Sequence, residues 1–144
     1  MVPVHFETWI PSNTADGLAV QEKIVSLMEQ FEYSTRDVFA MRLSLEEAIT
    51  NAIRHGNRFS PDKQVAICCT IDGQRMRVVV QDQGDGFEPE EVPDPTAAEF
   101  IERPNGRGLL LMRAYLNHCE YSDGGRCLTM ERERNSELPK LDDD

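Results

Sequence analysis

Glu47-Ala48-Ile49-Thr50-Asn51-Ala52-Ile53-Arg54-His55-Gly56-Asn57 is the stretch on which the reading of this chain turns. Glu47, Asn51 and His55 recur every four residues. On one helix, at about 100° per residue, they stack within roughly 80° of arc. The apolar stripe of the same helix (Val38, Met41, Leu45, Ala48, Ile49, Ala52) runs immediately beside them. A carboxylate, an amide and an imidazole thus form a column at the margin of a core face, where water is scarce and polar groups need partners. A metal–phosphate ligand would supply them. For this motif alone, a helix with an ordinary half-solvated polar edge is the competing reading.

Outward from that helix the chain divides into recognisable elements. Val4–Ile10 reads as a strand closed by Pro11, and Ala15–Phe31 as a helix whose apolar face is Leu18, Ile24, Leu27, Met28 and Phe31. Ser34-Thr35 caps the second helix, which is expected to run to about His55 and stop at Gly56. Strands 64–71 and 76–81 follow, joined through Asp72-Gly73, a strong hairpin signal. A third helix carrying Leu109–Leu116 opens after Gly106-Arg107-Gly108, and a last hairpin of 119–121 and 126–132 turns through Asp123-Gly124-Gly125. About five strands and three helices, with the helices segregated from an antiparallel-rich sheet, predict an α+β two-layer sandwich. From Asn135 the chain is expected to fray.

At 144 residues the chain suits one domain with a real core. Its 26 acidic against 15 basic residues give a net charge of −11. That balance argues against direct nucleic-acid binding and suits a basic protein partner or simple solubility. With no signal peptide, lipidation signature or apolar run near membrane-spanning length, a cytoplasmic protein without membrane attachment is expected. Cys68, Cys69, Cys119 and Cys127 lack the paired spacing of a zinc site and read as reduced thiols, a disulfide pair being the other possibility. Adjacent on a strand, Cys68 and Cys69 must face opposite sides.

Two further motifs carry chemistry. Asp82-Gln83-Gly84-Asp85-Gly86-Phe87 follows the strand ending at Gln81. An aspartate there can accept from an exocyclic amine, and the glycines let backbone approach a ligand closely; a plain glycine turn is the alternative. A calcium loop is excluded, because Gly84 and Gly86 occupy the positions its ligands would need. Gly106-Arg107-Gly108 at a helix start offers free amides and the positive end of the dipole to an anion, or else is only a turn and a cap. None of the lysines (Lys23, Lys63, Lys140) makes a Walker loop, and no His-Arg-Asp loop of a eukaryotic-type kinase is present. Between these motifs lies a connector, 87–105, with four prolines and six acids. Its length suits a lid or binding loop.

Taken in order, Glu-x3-Asn-x3-His-Gly, Asp-x-Gly-x-Gly-Phe, a proline-broken lid and Gly-x-Gly at a helix start resemble the GHKL ATPase superfamily, which shares the ATP-binding fold of gyrase, Hsp90, histidine kinases and MutL. Within it the short chain is most similar to the anti-sigma-factor serine/threonine kinases of bacterial partner switching. The resemblance covers roughly residues 4–133. It implies a mixed, mostly antiparallel sheet covered by helices on one face. It also implies a single ATP-binding kinase domain over 1–134, with a lid at about 87–105 and an acidic tail at 135–144.

By that resemblance the cofactors are ATP and Mg²⁺. Asn51 would offer its side-chain oxygen to the metal, and Glu47 would act as base or orienting carboxylate. Asp82 would take the adenine amine, with Gly84 and Gly86 giving room for the ring. Gly106, Arg107, Gly108 and the amide at Leu109 would cradle the phosphates, while His55 and Gly56 would have packing or supporting roles. The cation facing the transferring phosphoryl group would be Arg103, with Arg107 as its substitute. The implied activity is phosphorylation of a STAS-type anti-anti-sigma protein by a homodimeric kinase that also binds a sigma factor. A non-catalytic ATP-gated binding module, a histidine-kinase catalytic domain and an acidic interaction domain without nucleotide are the rival readings. The histidine-kinase reading lacks a helical hairpin to present a phosphoacceptor.

Overall fold

The computed structural model describes residues 2–86 and 106–140, the side chains of Gly106 and Arg107 excepted. Strand β1 (Val4–Pro11) leads to helix α1 (Thr14–Gln30) and helix α2 (Thr35–Asn51). Strands β2 (Gln64–Ile71) and β3 (Arg75–Gln81) follow, then helix α3 (Gly106–Tyr115) and the strands β4 (His118–Ser122) and β5 (Cys127–Glu133). The sheet runs β1-β2-β3-β5-β4, and each of its four pairings is antiparallel. This is the α+β architecture expected from the pattern of elements, with the helices on one face.

Alternation along the strands decides which face is covered. Ile67, Cys69 and Ile71 of β2, Met76, Val78 and Val80 of β3, and Leu128 and Met130 of β5 point at the helices and are buried. They meet Ile24 and Met28 of α1, Met41, Leu45 and Ile49 of α2, and Met112 of α3 in one continuous core. Cys68 and Cys69 do face opposite sides, and the four cysteines are unpaired. The first strand splits the same way: Phe6 packs against the core while Trp9 stands exposed on the other side.

Local chemistry sets the helix ends. The Asn13 side chain accepts from Asp16 N at 2.9 Å to start α1. Ser34 and Asp37 form a reciprocal capping box at α2, each side chain accepting from the other's backbone N–H, at 3.0 and 3.1 Å. The expected run of α2 to His55 changes character near its end: Ala52–Gly56 is a single π-helical turn, closed by Asn57 N donating to Ala52 O at 2.8 Å. Such turns insert one residue and re-aim the side chains that follow, and they recur at functional sites. At the β2–β3 hairpin, Asp72 Oδ1 accepts from the amides of Gln74 and Arg75 at 2.7 and 2.9 Å. An aspartate-built turn, with no positive φ at Gly73, therefore makes the predicted connection.

A fully buried ion pair joins the layers. Arg132 Nε on β5 donates to Asp37 Oδ1 on α2 at 2.9 Å, both side chains being wholly inaccessible. Three more guanidinium protons go to the carbonyls of Tyr115 (2.6 Å), Leu138 (3.1 Å) and Ser136 (3.2 Å), while Asp37 Oδ2 also accepts from Asn135 N at 2.7 Å. This corrects the expectation of fraying from Asn135. Residues 135–140 are fastened by Arg132 and by Arg36, which donates to the carbonyls of Glu137 and Pro139. The last four residues of the expected tail lie outside the described residues.

Removing one member of a buried pair strands the other charge, at a cost of about 3–5 kcal/mol. Arg132→Met is therefore expected to lower the urea midpoint by that equivalent. Adding Asp37→Asn should restore part of the loss, because the amide oxygen keeps the cap while the buried charge disappears. No recovery in the double variant would show that the pair's charge is not the source of the loss.

Candidate functional site

The middle of α2 lines one wall of the site. Glu47 is half-buried and Asn51 buried, and Asn51 Nδ2 donates to Glu47 Oε1 at 3.1 Å. The four-residue spacing therefore stacks these two side chains as the sequence predicts. His55 departs from the column: it belongs to the π-helical turn and is exposed. Partial desolvation and then Arg54 hold its imidazole below the usual histidine range, with Glu47 pulling the other way.

Asp82 forms the second wall, just past β3. Its backbone N–H donates to Arg126 O at 2.9 Å, and its Oδ1 accepts from Gly84 N at 2.8 Å. The other carboxylate oxygen accepts no hydrogen bond among the described residues, which leaves it available to an amine donor. Desolvation, the largest influence, raises the Asp82 pKa above the ordinary carboxylate value, against the Gly84 amide and the more distant Arg126 and Lys63.

Two close approaches bring the three sequence motifs together. A methyl group at Gly56 would overlap the Asp82 carboxylate, so the residue that ends the helix motif makes room for the aspartate of the second. A methyl at Gly108 would overlap the Glu47 carboxylate, so the glycine motif at the start of α3 packs directly on the acid of the first. Gly84 in turn lies against the Gly56 carbonyl. The first turn of α3 thus packs beside Glu47, and the first turn of any helix leaves its amides without intrahelical acceptors. Leu109 is buried behind them in the core. Arg103 lies outside the described residues, as do the side chain of Arg107 and the whole lid.

Three residues of this site carry no flag in the sequence reading. Tyr121, inward on β4 and half-buried, hydrogen-bonds the Asn51 side chain, and burial, with Glu47 and Asp82 nearby, pushes its phenol pKa up. Strand alternation through Cys119 and Tyr121 is the signal that could have found it. Arg126 spends one guanidinium on three carbonyls: Nε on Gly84 O (2.8 Å), Nη2 on Asp85 O (3.0 Å) and Nη1 on Asp123 O (3.0 Å). It ties the loop after β3 to the β4–β5 turn. Asn57, buried, donates to Ser12 Oγ and Gln64 O at 3.0 and 2.9 Å and accepts from Gln83 N at 2.7 Å. It was legible only as the last letter of the first motif.

These groups fit a magnesium–nucleotide ligand. Asn51 offers a neutral oxygen of the kind hard Mg²⁺ accepts, beside a carboxylate. The helix start of α3 suits phosphate, and the free oxygen of Asp82 suits an amine.

The raised pKa of Asp82 carries a sign. The folded state holds this proton more tightly than the unfolded chain, so the group favours folding below the ordinary carboxylate value. That contribution is lost as pH rises through the raised folded value. Asp82→Asn should therefore raise the melting temperature at neutral pH, with the gain vanishing as pH falls below the ordinary carboxylate range. A gain that persists unchanged into acid would contradict this. Gly108→Ala should cost about 1–3 kcal/mol through overpacking on Glu47, read by urea denaturation.

Comparison with known proteins agrees with this geometry. A family model described as "Histidine kinase-like ATPase domain" matches residues 10–132. The serine-protein kinase RsbW of Bacillus licheniformis is 27% identical, over 77% of this chain and 72% of its own. The anti-sigma F factor of Clostridium perfringens is 29% identical, over 78% of this chain and 84% of its own. RsbW of Bacillus velezensis is 24% identical, over 92% and 88%. With the three motifs meeting in one cleft and the family model spanning most of its length, the chain belongs to the histidine kinase-like ATPase domain family.

Proposed function

We propose that this protein is an ATP-dependent serine/threonine protein kinase that acts as an anti-sigma factor in a partner-switching system. It holds a sigma factor in one state and phosphorylates a STAS-type anti-anti-sigma protein in the other. The observation that supports the reading is the contact of Gly108 with Glu47, which brings the glycine-rich start of α3 against the carboxylate of α2. The names of the relatives, serine-protein kinase and anti-sigma F factor, support the same class of activity. No helix among the described residues is long and apolar enough to cross a membrane, which is compatible with work in the cytoplasm on protein partners. A homodimer is part of the proposal.

Each residue then has a defined task. When bound, magnesium ATP supplies the transferable phosphoryl group. Asn51 would give its side-chain oxygen to the metal, oriented by its bond to Glu47. Asp82 accepts from the adenine amine, and Gly84 and Gly86 leave the ring its space. The amides of Gly106, Arg107, Gly108 and Leu109 would hold the phosphates, and Arg103 or Arg107 would supply a cation to the transferring group. Glu47 accepts or orients the proton of the attacking serine or threonine hydroxyl. Phosphoryl transfer demands mostly positioning and charge stabilisation, which a cleft built from helix and glycine backbone provides.

Incubation of the purified protein with Mg-ATP and a STAS-domain partner should yield phosphoserine or phosphothreonine on that partner, detected by mass spectrometry. Glu47→Ala should slow transfer by about 10²–10⁴-fold while nucleotide affinity, measured by calorimetry, changes only a few-fold. Transfer at the wild-type rate would remove Glu47 from its assigned role. Nucleotide binding with no product on any candidate partner would favour the ATP-gated binding module, and absence of nucleotide binding would end both readings.

A further inference from the structure

The face of the sheet turned away from the helices carries a second cluster of chemistry. Antiparallel register sets His5 opposite Thr70 and Glu7 opposite Cys68. His5 and Glu7, two residues apart, share that outer face with Cys68. Their donor atoms converge: His5 Nε2 lies 3.6 Å from Glu7 Oε1, Cys68 Sγ lies 3.8 Å from the same oxygen, and the three fall within 4.8 Å of one another. A tetrahedral zinc ion with ligands at 2.0–2.3 Å holds its donors about 3.3–3.8 Å apart, so small rotations of exposed side chains suffice to close the set.

The fourth residue supplies the orientation such a site needs. His5 Nδ1 is 2.8 Å from Thr70 Oγ1. With that nitrogen donating to the hydroxyl, the lone pair of Nε2 is directed at the carboxylate. Metal-binding histidines are commonly fixed in this way through their other nitrogen. In that tautomer Nε2 and the carboxylate oxygen stand 3.6 Å apart, a spacing that a cation can bridge.

We propose that His5 Nε2, Glu7 and Cys68 form a binding site for a divalent ion of the zinc class on the outer face of the sheet, with Thr70 as its orienting residue. Imidazole, carboxylate and thiolate together select a borderline ion over the hard Mg²⁺ of the nucleotide cleft. On binding, the S–H bond of Cys68 breaks, its proton passes to solvent and a sulfur–metal bond forms, with no change of oxidation state. Three protein ligands leave the fourth position to water. Arg77, opposite Thr70 on β3, adds positive charge at the margin and favours the thiolate of Cys68.

The test uses the full chain, freed of metal by chelation and titrated with Co²⁺ as a spectroscopic stand-in for Zn²⁺. A thiolate-to-cobalt charge-transfer band should saturate at one ion per chain and be displaced by Zn²⁺. Cys68→Ser should abolish the band and His5→Ala should weaken binding at least as much as Thr70→Val, which should cost about tenfold. Cys127→Ser, on β5, should leave it intact. Absence of the band, or the same band in Cys68→Ser, would overturn the proposal, as would an affinity unaltered by both His5→Ala and Thr70→Val. Nucleotide binding is read separately, so failure here leaves the kinase reading untouched.

Discussion

The position of α2 is the constraint on which the rest of this structure depends, and the Asp37–Arg132 pair is its anchor. Two charges with no solvent access must satisfy one another and all their remaining hydrogen-bonding capacity. Here most of that capacity is met by one backbone amide of the α2 cap, a second amide at Asn135 and three carbonyls. Sliding α2 along its axis by one residue, about 1.5 Å, would break that set at once. Buried pairs of this kind contribute little net stability compared with apolar replacements. Their consequence is a single permitted seat for the helix.

That seat is transmitted to the other end of the same helix. Asn51 and Glu47 stand about three to four turns from Asp37, and the end of the π-helical turn is held by Asn57, whose amide reaches Ser12 just past β1, Gln64 of β2 and the loop after β3. Fixed at both ends, α2 presents its carboxylate to α3, and the glycine closing the π-helical turn after it meets Asp82. Arg126 holds the loop carrying Asp82 from the opposite side. A site built this way keeps its polar groups in place before any ligand arrives, which is where preorganised electrostatics gains its effect. The cost is visible in Asp82, a carboxylate kept partly dry, with no donor to one oxygen among the described residues.

Much of this was legible in the residues themselves. Strand alternation set Cys68 and Cys69 on opposite faces, the Asp72-Gly73 turn marked the hairpin of β2 and β3, and Ser34-Thr35 marked a cap. The column of Glu47 and Asn51 followed from helical period alone. His55 did not follow, because a period of 3.6 was carried through a turn that is π-helical. The tail from Asn135 was read as free because its composition is polar, whereas its backbone is recruited by an arginine buried inside the sheet. Tyr121 and Arg126 resemble ordinary strand residues until their neighbours are known.

Local rules therefore determined which segments are helix or strand, which faces are apolar and where the three motifs lie, since period, capping and turn chemistry act within a few residues. Tertiary structure alone decided what those motifs touch. Asp37 meets Arg132 across 95 positions and Asn57 meets Ser12 across 45. The overlap avoided at Gly56 and Gly108, and the convergence of His5, Glu7 and Cys68, exist only because strand register and helix seating bring distant backbones to contact distance. Such pairings are set by packing geometry, and no single segment encodes them.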